Sequence, residues 1–264
     1  MNFSRIITPL IFVLVFLGCK NKKEDFQLTD YHVHLKGDFT YDKALEKSKK
    51  EGINYGIAVN CGIGFPVNSD SAALTFFDQM KGSPFYIAMQ AEGREWLTTF
   101  SPEVINKFDY VFTDALTWTD HKGRRMRLWM PDEVYVDDEQ QFMDMYVDKI
   151  VEIISSEPID IFVNPTFLPE VIRDDYDRLW TEKRMQKVID AAVQHNVAIE
   201  INDRYEIPGQ QFIALGKSKG LKFACGTNNK DSNFGGLNYC KEMIKAFGLE
   251  EKDFFEPEVK KTQI

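Results

Sequence analysis

Short apolar runs rich in β-branched and aromatic residues recur along the chain at 28–33, 55–60, 85–89, 110–112, 159–163, 198–201 and 222–225, and each reads as a buried strand. Helix signals lie between them. Thr40 precedes a helix over 41–51 closed by Gly52, and Ser101-Pro102 opens a short one. Apolar positions near 3.6 spacing mark 181–194, while 211–219 and 237–247 end at Gly220 and Gly248. Strand and helix in alternation predict parallel pairing, because parallel neighbours need a crossover. Nearly every strand ends on a polar residue: His32 and His34, Asn60, Gln90 and Glu92, Asp114, Asn164, Glu200 and Asn202, and Asn228. A closed barrel brings all those ends to one mouth, whereas an open sheet gathers only the few at its switch point. The predicted fold is therefore α/β, a distorted seven-stranded (β/α) barrel of TIM-like type.

Two connections exceed ordinary loop length. Residues 115–138 carry Trp118, His121, Lys122, Arg124, Arg125, Arg127 and Trp129 and read as a lid; 164–176 is stiffened by Pro165 and Pro169.

Composition narrows the picture. With 264 residues, 44% of them hydrophobic, one core suffices and no second domain is required. A net charge of -9 excludes nonspecific nucleic-acid binding and favours a small-molecule partner. Residues 1–19 join Arg5 to an apolar run that ends in Gly18-Cys19 and is too short to span a bilayer. The segment resembles a bacterial lipoprotein signal with Cys19 as the lipidated residue; an ordinary secretory signal is the alternative. The expected organisation is a signal over 1–19, a tether over 20–27, a barrel over 28–256 and a tail over 257–264. The protein would be exported and lipid-anchored, on the periplasmic or cell-surface side, with the anchor its sole membrane contact. Cys61, Cys225 and Cys240 then remain, an odd number without metal-type spacing, and predict neither a disulfide framework nor a zinc knuckle.

At the strand ends, Glu92, Asp114 and Glu200 are candidate proton-transfer carboxylates. Lys36 could hold an anion or act as an acid. Arg94 beside Glu92 and Arg204 beside Glu200 could grip a phosphate, sulfate or carboxylate, or form internal ion pairs. Arg124 belongs to a basic lid cluster with Arg125 and Arg127. Asn164, Asn202 and Asn228 are candidate substrate contacts. Asp120 reads as solvated, and His195 as a helix-end residue facing the dipole.

Asp30-Tyr31-His32-Val33-His34-Leu35, the approach Glu51-Gly52-Ile53, Phe108-Asp109-Tyr110-Val111, Ala198-Ile199-Glu200-Ile201-Asn202 and Gly226-Thr227-Asn228-Asn229 together resemble the motifs of the polymerase and histidinol phosphatase (PHP) family, over about 28–256. The resemblance implies a metal-dependent phosphoesterase on a seven-stranded barrel. Much of the family's ligand set is missing: Cys61-Gly62 replaces an Asp-His pair, Leu116 lies near a lost histidine, and Asn164 and Asn228 replace a histidine and an aspartate. Only His32, His34 and Glu92 match ligand positions. Two histidines two apart on a strand share a face, so with Glu92 they could hold one divalent ion (Zn, Mn or Mg), or the site could work without one. The expected function is a hydrolase for a small anionic or polyhydroxylated substrate. The rivals are an amidohydrolase-like enzyme and a noncatalytic lipoprotein that binds a glycan or anion.

Overall fold

The computed structural model describes residues 26–258. The signal segment, Cys19, most of the tether and residues 259–264 lie outside them. Among the described residues nine strands are formed: β1 (Thr29–Val33), β2 (Asn54–Cys61), β3 (Tyr86–Ala91), β4 (Tyr110–Thr113), β5 (Thr117–Thr119), β6 (Arg125–Arg127), β7 (Ile161–Phe162), β8 (Ala198–Asn202) and β9 (Phe223–Gly226). Seven of them close a parallel barrel in the order β1-β2-β3-β4-β7-β8-β9, and the Asp30–Cys225 register pair completes the ring. The sequence alternation led to the same fold.

Local signals account for the helices. The Thr40 side chain caps Tyr41–Glu51 and Gly52 closes it at φ 66°. Thr181 caps Glu182–His195, whose last turn holds His195, as expected from the helix dipole. Asp70–Met80 and the 18-residue Glu139–Ser156 are additional crossovers. Among the described residues no helix is long and apolar enough to cross a membrane.

Apolar residues divide into two layers. Outward-facing strand residues such as Ile57, Met89, Val111, Ile199 and Phe223 pack with the helices. Inward-facing Tyr31, Ala58, Ala88, Tyr110, Phe112, Ile161, Val163, Ala198 and Ala224 fill the barrel. Alternation therefore sorts each strand between two cores, with one exception. The β1–β2 register is irregular between Asp30 and Val33. Tyr31 joins the inner core, the His32 ring packs on inner Phe112 at 4.7 Å, and Val33 faces the outer core. Adjacent residues 31 and 32 thus both point inward, a phase shift of the kind strand irregularities supply beside functional sites.

The 115–138 connection folds as the antiparallel hairpin β5–β6 followed by a 3-10 turn over Pro131–Glu133. Buried Trp118 stacks on Tyr146 of the Glu139–Ser156 helix, so the hairpin is fastened by its own core residues and walls the mouth. Cys225 is bonded to Cys240 of the final helix, with Cα atoms 5.9 Å apart. This overturns the expectation of no disulfide: the two cysteines are 15 residues apart in sequence, and the strand-to-helix return brings them together. Cys61 is free and buried.

Candidate functional site

Above the apolar inner layer, the inward positions become polar at the C-terminal ends of the strands: Asn60, Gln90, Asp114 and Glu200, with Glu92 just beyond. A cavity of about 460 Å³ opens over them, within the usual range for small-ligand sites. It is lined among others by Lys36, Asn60, Gln90, Glu92, Asp114, Asn164, Arg204 and Asn228.

The histidine pair is buried at the end of β1, outside the residues that line the cavity. His32 Nδ1 lies 2.7 Å from Glu200 Oε1, and His34 Nδ1 lies 3.0 Å from the Ala58 carbonyl. Those partners accept, so each Nδ1 carries a proton, and the Nε2 of neutral His34 presents a lone pair. Both Nε2 atoms are buried without a partner. Burial, and then the neighbouring His32 and Lys36, hold His34 well below the usual imidazole range, keeping it neutral. Asn229 clamps the backbone beneath: its Oδ1 accepts from His34 N–H at 2.7 Å and its Nδ2 donates to the His34 carbonyl.

Glu200, expected as a base, is consumed in positioning. Besides His32 it accepts from the Asn164 N–H at 2.7 Å and from Asn202 Nδ2 at 2.9 Å. Gly226 permits this approach, since a Cβ there would sit 2.1 Å from Glu200 Oε1. Asn202, a candidate substrate contact, is fully buried and serves the same network, donating to Asn164 and accepting from Tyr205 N–H.

Glu92, Asp114 and Glu170 are the carboxylates that line the cavity, and Glu92 and Asp114 are the two that are buried. Asn60 Nδ2 donates to Glu92 at 2.7 Å; Asp114 accepts from the Leu116 N–H and from Asn164 Nδ2 at 3.1 Å. Burial, followed by the charge of Asp114, pushes the Glu92 carboxyl up to about 8. Burial raises Asp114 as well, against the hydrogen bond from Leu116. The charge of Asp114 thus favours the protonated form of Glu92. Asn164 and Asn228 adopt φ of 50° and 45°, left-handed backbone that asparagine tolerates, and line the cavity.

Cations gather on the other side. Lys36 is partly buried, and burial and then the nearby Arg204 lower its pKa; Lys230 is a further neighbour. Arg204 stacks on Tyr205 at 4.8 Å and donates to the Asn228 carbonyl. Around the ring these cations follow β1, β8 and β9, whereas Glu92 and Asp114 follow β3 and β4, so the cavity has a cationic and an acidic side.

Several expected residues stand elsewhere. Arg94 does not line the cavity: its guanidinium binds Glu157, Thr113 Oγ1 and the Asp114 carbonyl, so the expected pairing with Glu92 is replaced by one with Glu157. Arg124 pairs with Asp120 and Asp137, and Arg127 with Glu133, which leaves those two lid guanidiniums already neutralised. Asp120 is buried rather than solvated because it accepts from the Lys122 and Arg124 amides and from Arg124 Nε. His32, His34 and Glu92 are not brought together as a ligand set: no group of three His, Cys, Asp or Glu among the described residues is arranged to hold an ion. What remains is a pair of unpartnered imidazole nitrogens, donor chemistry suited to a divalent ion, buried outside the cavity lining. Sequence reading missed Phe65, Phe167, Arg173, Tyr205 and Lys230 as lining residues. The length of the 164–176 connection was the available signal for Phe167 and Arg173.

No family model matches the chain, and no curated protein matches its sequence. Among solved structures, a histidinol phosphate phosphatase from Lactococcus lactis, complexed with zinc, L-histidinol and phosphate, is similar at a TM-score of 0.60 and 15% identity, covering 85% of this chain and 95% of its own. An archaeal ribonuclease P with tRNA and an aldolase from Escherichia coli K12 give TM-scores of 0.37 and 0.36. The first likeness concerns the whole barrel at low identity, so the chain has the PHP-type seven-stranded (β/α) barrel fold.

Proposed function

We propose that the protein is a hydrolase for a small anionic ester bound at the C-terminal mouth of the barrel. The observation that carries this reading is the division of one cavity between the buried carboxyls of Glu92 and Asp114 and the cations Lys36, Arg204 and Lys230. The cations seat the anionic group and orient the scissile bond toward the acidic side. Glu92, protonated at neutral pH, gives its proton to the leaving oxygen, and Asp114 accepts one from the attacking water. Asn60 and Asn164 fix the two carboxyls, and Glu200 holds His32. The Nε2 atoms of His32 and His34 would hold a divalent ion, which when bound supplies positive charge for polarising the ester and activating water.

The test is turnover of a panel of small phosphate esters, sulfate esters and glycosides, with and without added Zn²⁺ or Mn²⁺. Glu92→Gln is expected to lower kcat by about 100-fold, and Arg204→Ala to act mainly on KM. Unchanged kcat in Glu92→Gln contradicts the assignment.

An exported location with a lipid on Cys19 accompanies this reading. The Cys225–Cys240 disulfide supports it, since such bonds persist in oxidising compartments. Metabolic labelling with palmitate should mark the wild type and not Cys19→Ala.

A further inference from the structure

The cavity wall contributed by the loops after β7 and β8 carries a second cationic position. Arg173 lies over the Phe167 ring at 6.0 Å, Phe167 meets Tyr205 edge-on at 5.0 Å, and Arg204 lies over Tyr205 at 4.8 Å. All four residues line the cavity. The wall therefore runs cation, ring, ring, cation. Arg94, Arg124, Arg127, Arg178 and Arg184 each meet a carboxylate within 4 Å. By contrast, no ion pair joins Arg173 or Arg204 to a carboxylate among the described residues, as is also true of Arg125 on the lid; Glu170, three residues before Arg173 on the same 3-10 helix, lines the cavity without pairing to it. An aromatic face directs a guanidinium without neutralising it, so both retain their charge for an incoming anion.

Because two un-neutralised guanidiniums stand at either end of a ring-faced wall, we infer that the site takes a ring-bearing small molecule with two anionic groups. One is held by Arg204 with Lys36 and Lys230, the other by Arg173, and the ligand's ring lies against Phe167 and Tyr205. This deepens the proposed function and rests on the cavity being the substrate site. A ligand that engages both cationic positions gains from the second as an intramolecular contact, so a dianion should bind far more tightly than its singly charged half.

Calorimetric binding of inorganic phosphate to residues 20–264 tests the two positions without requiring turnover. Two phosphates per chain are expected, one in Arg173→Ala, one in Arg204→Ala and none in the double variant; unchanged melting temperatures and recovery in Arg173→Lys exclude misfolding. Glucose 1,6-bisphosphate should then bind at least tenfold more tightly than glucose 6-phosphate, with Arg173→Ala erasing the difference. A single phosphate on the wild type, two on Arg173→Ala, or equal affinities for the two sugars would overturn the inference. Two bound phosphates with no hydrolysis of any ester would leave the second position standing and defeat the hydrolase reading instead.

Discussion

The two ends of the barrel interior are built from alternate positions of the same strands and come out as opposites. At the base, Tyr31, Tyr86, Tyr110 and Phe255 pack ring against ring, with Tyr110 Oη donating to the Tyr31 carbonyl at 2.7 Å and Tyr31 Oη to the Phe255 carbonyl at 2.9 Å. Midway, Ala58, Ala88, Ala198 and Ala224 leave room for Phe112 and the histidine rings. At the mouth the inward positions are carboxylates and amides around open space. Bulk at one end frees the other from filling the core, and buried carboxyls are tolerable there because each has a donor assigned to it. Stability is concentrated at the base, and binding and proton transfer at the mouth.

The strongest way to break this division is to add one methyl group at each end. Gly56→Ala would place a Cβ 1.8 Å from Tyr110 Oη, and Gly226→Ala a Cβ 2.1 Å from Glu200 Oε1. Each should cost about 2–3 kcal/mol in denaturant unfolding. Gly56→Ala should leave phosphate binding intact, whereas Gly226→Ala should also weaken it by displacing the Glu200 network that supports Asn164 and His32.

A pH titration comes next. In chelator-treated protein the folded state holds the Glu92 carboxyl near 8 against an ordinary 4.5. A raised carboxyl favours the folded state while protonated, so that contribution is complete below about pH 4.5 and is lost as pH rises toward 8. Melting temperature should fall across this window in the wild type and fall less in Glu92→Gln, the slope that remains coming from other buried carboxyls such as Asp30, which burial pushes up to about 6.

The smallest effect belongs to the lid. Arg124 is partly exposed and paired with Asp120 and Asp137 away from the cavity, so Arg124→Ala should lower the melting temperature only modestly and leave phosphate affinity unchanged. A large loss of affinity would return the lid cluster to the site.

The seven strands and the polar mouth were legible because a strand's period of two and a carboxylate or amide at its end are local properties. The irregularity in β1 was not, since Tyr31 and His32 facing the same way contradicts that period and depends on pairing with β2. Nor was the role of Arg94, Arg124 or Glu200: a guanidinium or carboxylate shows its charge in sequence, but its partner, here Glu157, Asp137 or His32, comes from a distant element. The same reasoning covers Cys225 and Cys240, whose pairing depends on the final helix returning along β9.

The central claim is that Glu92 works as the acid at a mouth built for anions. The most direct measurement is the pH dependence of kcat/KM, in wild type and Glu92→Gln, for whichever ester of the panel turns over fastest. The account predicts a wild-type rate that declines above about pH 8 as Glu92 loses its proton, and a slow variant without that limb. An identical limb in Glu92→Gln, or no turnover of any ester by the wild type, would contradict it.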